Sequence, residues 1–392
     1  MPDTSDVIII GGGIMGTATA YHLSKRGVKI ILLEKTHLGA GSTGLTGGII
    51  RQHYSVKTKA QMALRALTVW ENFNEIIGGE VGFARTGVAF VTGQEGVEGL
   101  VANINMLQSI GVRTELLNTE SLHEIAPYLH TADIHAAAYE PDGGVADGSM
   151  ACNAFAARTR ELGGSVRQGV EVTGIRIKSG RVVGVDTSEG AIEAPVVVNT
   201  AGPWGAKLAR SVGVEIPANP SRHQIASFKQ PDDFHQPHHI VVADFINGHY
   251  VRPDAGNLTL AGSLEDDLTD ETVNPDSYNR VIDRTFIEDM VDRSSRRMPD
   301  LERGRVQGGW AGLYTVTPDW SPIIDHIDEL PGLVIGLGFS GNGFKFGPVV
   351  GEMLADLALG DNQSPIDPSI FRLNRFDEGQ GVFSNYGYNI VG

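Results

Sequence analysis

Residues 7–10 read VIII and run directly into GGGIMG. That junction constrains the fold of this chain more than any other stretch. Four consecutive β-branched residues fit a strand buried on both faces. The motif G-x-G-x-x-G follows at Gly11, Gly13 and Gly16, then a helical pattern, TATAYHLSKRG, closed by Gly27. A second strand, VKIILLEK, reaches Glu34. The spacing has a physical reason. Gly11 permits the tight turn, Gly13 lets backbone approach a pyrophosphate, and Gly16 lets the helix pack on the strand. The helix start, at Ile14 and Met15, offers free N–H groups and partial positive charge to phosphates. Glu34, with Lys35 after it, stands where an acid accepts ribose hydroxyls and disfavours a 2′-phosphate. The expectation is a dinucleotide site in a βαβ unit.

The next segment separates two kinds of dinucleotide. Residues 39–48 hold five glycines together with Ser42, Thr43 and Thr46. A loop containing Gly41, Gly47 and Gly48 before Ile49 can lie along a ribityl–pyrophosphate chain, using hydroxyls and backbone N–H groups. Nicotinamide domains continue instead with further βα units. Residues 196–205, VVVNTAGPWG, form a buried strand and a small-residue turn. They offer a second approach to the nucleotide at Thr200, Ala201, Gly202 and Trp204. Both features fit FAD.

Composition excludes other classes. The formal net charge is -16, which argues against nucleic acid and leaves no basic patch for an anionic membrane. The single cysteine, Cys152, rules out an intramolecular disulfide and fits a reducing compartment. The apolar run behind the acidic N-terminus is only four residues long, too short for a signal-peptide core or a membrane span. A cytoplasmic location is expected. His235, His238 and His239 sit in a polar stretch that reads as a surface loop rather than a metal site.

The fold class expected is α/β with an α+β composite character: a glutathione-reductase-like Rossmann FAD domain carrying an inserted antiparallel-sheet substrate domain. Glycine-rich, buried-strand segments at 1–85, 146–215 and 306–375 are assigned to the FAD domain. Residues 86–145 and 216–305 are assigned to the substrate domain, with a hairpin turning at Asp254–Asn257. The stretch PIDPSIFRLNRF is expected to pack back on the FAD domain, and residues 376–392 are a C-terminal tail whose last residues form an interface or fray.

The sequence resembles the D-amino-acid-oxidase-type FAD superfamily. Within it, the resemblance is to the sarcosine oxidase and L-proline dehydrogenase β-subunit branch. The motifs that carry it are GGGIMG with Glu34, GAGSTGLTGGIIRQ, VVVNTAGPWG, AGLYTVTPDWSPIID at 311–325, and GFSGNGFKFGP at 338–348. The resemblance implies hydride transfer to flavin N5 from the C–N bond of a small amino acid or N-methylated amino acid, giving an imine. It implies Arg51 and Lys345 as partners of a substrate carboxylate and, by a softer match, Tyr250 as an active-site tyrosine. Gly338, Gly341, Asn342, Gly343 and Phe344, with Lys345, would lie against the flavin. Val172 would meet the adenine. A helix starting near Pro348 would aim its N-terminus at the flavin.

Departures from the family sharpen the expectation. Gly312 and Leu45 stand where some members attach FAD covalently, so the FAD is expected to be non-covalent. Tyr314 replaces a carboxylate-binding arginine of other branches. Thr259 falls near a lysine that promotes reaction with oxygen in monomeric sarcosine oxidases, and Asn342 replaces a common histidine. The partner is expected to be a small carboxylate-bearing amine, with O2 or a flavin or Fe–S partner subunit as electron acceptor. Two alternatives stay open: a flavoprotein subunit of a multi-subunit amine dehydrogenase, and oxidation of a 2-hydroxy acid.

Overall fold

A computed structural model describes residues 3–234, 236, 238–265 and 272–384. His235 and the end of the C-terminal tail, residues 385–392, lie outside them. The strand Val7–Ile10 occupies an inner position of a six-stranded sheet. Its order is Ile323–His326, Leu333–Leu337, Val196–Asn199, Val7–Ile10, Ile30–Glu34 and Ser165–Gln168. Neighbours are parallel except the outermost Ile323–His326. A parallel sheet is covered on both faces, and side-chain alternation divides its residues between two cores. Val7, Ile9, Ile30 and Leu32 join a core with the helices Ile14–Lys25 and Gly343–Leu359. Ile8, Ile10, Ile31 and Leu33 join a second core with the antiparallel ribbon of Val172–Lys178, Arg181–Thr187 and Gly190–Glu193. The first helix leaves its loop so tightly that a Cβ on Gly16 would sit 1.9 Å from the Gly11 carbonyl oxygen.

The other half is an eight-stranded sheet. Its order is Arg305–Val316, Asn219–Lys229, Leu258–Ser263, His249–Asp254, Val241–Asp244, Val88–Thr92, Ala136–Glu140 and Glu115–Leu117. Pairing is antiparallel except between Val241–Asp244 and Val88–Thr92, which run parallel. Alternation in TGVAFVTG suggests a half-buried strand, yet Val88–Thr92 is buried throughout. It lies inside the sheet, with Leu100 and Ile104 on one face and Leu117 and Leu122 near the other. The hairpin turns through Gly256 and Asn257, both in the left-handed region at φ 74 and 57.

Two placements differ from the sequence expectation. Residues 306–316, grouped with the FAD domain, pair along their length with Asn219–Lys229 as an edge strand of the large sheet. This twelve-residue strand extends the large sheet before the chain returns to the small one at Ile323. His239, expected on a surface loop, is buried and binds Ile240 O and Thr259 Oγ1 through its two ring nitrogens. Burial holds it neutral, with a pKa lowered to about 4. At the end of the chain, fully buried Arg375 donates to both oxygens of Asp319 at 2.8 and 3.0 Å. Asp319 also accepts the Val382 N–H, which pins the segment after residue 376 against the body.

Candidate active site

A cavity of about 1120 Å³ runs between the two sheets. Glu34 and Val172 line one end of it, with Lys35 beside them. The Glu34 carboxylate is aimed by its neighbours: Oε2 accepts the Gly12 N–H at 2.7 Å, and Oε1 accepts the Thr36 N–H at 2.8 Å. Gly11, Gly13, Ile14 and Met15 line the next stretch, at the start of the helix Ile14–Lys25. Thr43 ties the hydroxyl-rich loop to that helix by accepting the Ile14 N–H at 3.1 Å. Gly41, Ser42, Thr43, Thr46 and Gly47 line the cavity. From the opposite side come Thr200, Ala201, Gly202 and Trp204. A long groove with an acid at one end, a helix N-terminus in the middle and glycine-rich walls accepts an extended dinucleotide.

Five residues expected at the cofactor do not line the cavity: Gly16, Gly48, Ile49, Asn342 and Lys345. Gly16 serves helix packing, as described. The Gly48 N–H donates to Thr46 Oγ1, and Ile49 pairs with Val145 in a two-stranded ribbon. Both shape the loop from behind.

The far end is built by the 338–344 loop. Gly338, Gly341, Gly343 and Phe344 line it. Ser340 is held at φ 46, a strained value for a residue with a side chain. Its backbone N–H donates to Thr315 O at 3.0 Å, and its hydroxyl accepts the Thr317 N–H at 3.2 Å. These bonds over-determine the turn. The following helix begins at Gly343, not near Pro348. Pro348 lies inside it, in the second turn. Proline removes one hydrogen bond there, to the Phe344 carbonyl, and leaves the first turn free to form. Lys345 therefore rides on the first helical turn rather than in the loop.

Side chains from the large sheet form the roof. Tyr250, Tyr314, His223 and Ile225 line the cavity. The Tyr314 ring packs on Gly341, where a Cβ would sit 2.5 Å from it. The Tyr250 hydroxyl stands over Gly47. Burial raises the pKa of both tyrosines, so they are neutral donors. His223 stacks on Tyr314 with ring centroids 3.7 Å apart and 24° between planes. Its Nε2 is enclosed without a hydrogen-bond partner, and burial lowers its pKa to about 3. Sequence reasoning missed His223, because a lone histidine on an alternating strand resembles any core residue. Thr259 is not at the cavity. It is fully buried, accepts from Gln230 Nε2 at 3.1 Å and bonds His239 Nε2 at 2.9 Å.

Arg51 and Lys345 come together beneath this roof, just outside the lining. Both are buried. The Arg51 guanidinium stacks 4.1 Å from the Tyr54 ring centroid, and donates to His53 O and, at 3.2 Å, to Asn342 Oδ1. Neither cation has a carboxylate within ion-pair distance among the described residues. Burial, then the charge of Arg51, holds the Lys345 ammonium well below its ordinary pKa. Glu140 is the nearby acid. It is fully buried, accepts the Gln52 N–H at 2.8 Å, and burial raises its pKa to about 7. At Gly312 and Leu45, positions tied to covalent attachment elsewhere, a glycine and a leucine meet each other. Cys152 is buried, its thiol pushed up to about 12.

Residues 6–357 match the DAO family, described as FAD dependent oxidoreductase. Human peroxisomal sarcosine oxidase is 30% identical over 396 residues, covering 95% of this chain and 97% of the relative. Sarcosine oxidase subunit beta of Rhodobacter capsulatus is 27% identical, covering 96% of this chain and 90% of its own length. Mouse mitochondrial sarcosine dehydrogenase is 26% identical over 91% of this chain, but the chain spans only 40% of that protein's length. Among solved structures, L-proline dehydrogenase from P. horikoshii superposes with a TM-score of 0.88 at 30% identity, covering 97% of this chain and 99% of the other.

Proposed function

The chain belongs to the DAO family of FAD-dependent oxidoreductases, and from that premise we propose that it oxidises the C–N bond of a small amino acid or N-methylated amino acid. The observation that carries this reading is the pair Arg51 and Lys345. A buried guanidinium with no carboxylate in ion-pair distance among the described residues, beside a buried amine whose charged form burial disfavours, is costly unless an anion arrives. A carboxylate entering under the roof supplies that anion, and the planar guanidinium suits it. Tyr250 and the neutral His223 then face the amine end of the substrate. The imidazole accepts a hydrogen bond from the amine, and the tyrosine hydroxyl orients it. Bound FAD supplies the two-electron acceptor. The protein's own task would be to fix the carboxylate, keep the amine neutral and hold the substrate beside the 338–344 loop.

Names among the relatives support a narrower reading. Sarcosine, glycine and L-proline are the substrates those names contain. A partner subunit as electron acceptor is supported by relatives named as beta subunits. O2 is the other acceptor. The single buried cysteine supports a cytoplasmic site. No helix among the described residues is long and apolar enough to cross a membrane.

An anaerobic screen of the FAD-loaded protein, read by flavin bleaching, tests the proposal. Sarcosine, dimethylglycine, L-proline, glycine and L-2-hydroxyglutarate form the panel. Bleaching by one or more amines and not by the hydroxy acid is expected. Bleaching by the hydroxy acid alone overturns the assignment to amines.

A further inference from the structure

Asn342 is buried at the first step of the helix that carries Lys345. Its amide oxygen accepts two hydrogen bonds at 3.2 Å, from Arg51 Nη2 and from the Tyr54 hydroxyl. Its amide nitrogen donates to Ser340 O at 3.3 Å. Donor and acceptor ends of the amide are thus both committed, and its orientation is settled. Tyr54 is itself fixed: its ring lies under the Arg51 guanidinium and 5.1 Å from the Phe346 ring. The strained Ser340, the amide and the tyrosine form one rigid bracket around the arginine.

We infer that Asn342 is the positioning residue for Arg51, and that its being a neutral amide is what leaves the arginine's charge available to a substrate carboxylate. This rests on the proposed carboxylate anchor. The argument is one of chemistry at a fixed place. A carboxylate at position 342 would accept the same hydrogen bonds but form a permanent ion pair, using up the charge. An aliphatic side chain would leave the guanidinium and the Tyr54 hydroxyl without their acceptor, in a buried site. A protonated imidazole would add a further positive charge beside Arg51. The amide accepts without neutralising. Arg51 donates to two neutral acceptors, His53 O and Asn342 Oδ1, so an incoming carboxylate would exchange with a weaker acceptor than itself.

The test uses the FAD-loaded protein titrated with acetate and followed by the flavin spectrum, which needs no turnover. Arg51→Ala, Asn342→Asp, Asn342→Ala and Tyr54→Phe are compared with the native chain, each with its FAD content and melting temperature. Asn342→Asp is expected to weaken acetate binding by about tenfold or more, and Asn342→Ala by less, with FAD content kept. Steady-state kinetics give a second readout. KM for sarcosine or L-proline is expected to rise, whereas KM for dimethylamine or pyrrolidine, which lack the carboxylate, is not. Equal acetate binding by the native chain and Arg51→Ala sinks the carboxylate anchor itself. Weakened binding in Arg51→Ala with native binding in Asn342→Asp and Asn342→Ala overturns only the role of Asn342. Should Asn342→Asp not fold, Asn342→Ala and Tyr54→Phe carry the same comparison, and native affinity in both refutes the inference.

Discussion

At the scale of single residues, the ammonium of Lys345 gives a pH signature. Its pKa in the free protein is held down by burial and by Arg51. A bound carboxylate raises that pKa, so binding takes up a proton when the pH lies between the free and bound values. Affinity for acetate is therefore expected to fall as pH rises through this window, and Lys345→Met should abolish the dependence. The same substitution, or Arg51→Ala, should raise KM for a carboxylate substrate by roughly 2–4 kcal/mol in transition-state terms. Unchanged kinetics in both variants would remove the anchor. His223→Phe keeps the stack on Tyr314 and deletes the ring nitrogens, so kcat/KM is expected to drop about tenfold while FAD content holds. Residues of this kind differ in how far the chain announces them. Arg51 and Lys345 stand out as charges in apolar, glycine-rich surroundings. His223 does not, because its position depends on which face of Asn219–Lys229 meets the cavity, and that is set by pairing with a strand some 90 residues later. Thr259 is equally silent in the sequence: it is buried away from the cavity, bonded to Gln230 and His239.

At the scale of elements, local signals marked the nucleotide end well. Strand, glycine turn, helix and acid are contiguous, so one stretch of chain specifies the whole device. The helix Gly343–Leu359 was harder, since Pro348 suggests a start and the true start is five residues earlier. The segment 274–283 was not legible as an element at all. It is a strap across the cavity, held at both ends by contacts distant in sequence. Asp276 accepts from the Trp204 indole N–H at 2.6 Å and from Lys35 Nζ at 3.1 Å, and Lys35 sits 3.8 Å from the Trp204 ring centroid. At the other end Arg222 grips Asp283 through two nitrogens, at 2.6 and 3.1 Å, and donates to Asn279 O and Val281 O. The Asp276 end is exposed, and its cation–π contact and surface pair together come to roughly 1–2 kcal/mol. Asp276→Ala is thus expected to raise the dissociation constant for FAD by about tenfold, measured by recovery of flavin fluorescence on dilution. High salt should mimic part of the effect. An unchanged constant would show that the strap does not retain the cofactor.

At the scale of the whole molecule, the two sheets are joined around a void. The cavity of about 1120 Å³ is walled by the fingerprint and glycine loops on one side and by the roof strands on the other. A ligand that fills it touches both halves and binds the native state alone, so it stabilises by mass action. At free FAD about 1,000-fold above its dissociation constant, that amounts to roughly 4 kcal/mol. The loaded protein is expected to melt several degrees above the stripped one, with the shift growing as FAD is added. The attachment itself is argued from the same geometry. Gly312 and Leu45 face each other without a nucleophile, and Cys152 is buried in the helix Gly148–Glu161 with its thiol neutral. The groove, the strap and the helix termini are then expected to hold the flavin without a covalent bond. Acid precipitation should release all of the yellow colour into the supernatant and leave a colourless pellet. Flavin retained in the pellet would mean a covalent bond to a residue these walls do not identify, and the melting temperature would then no longer depend on added FAD.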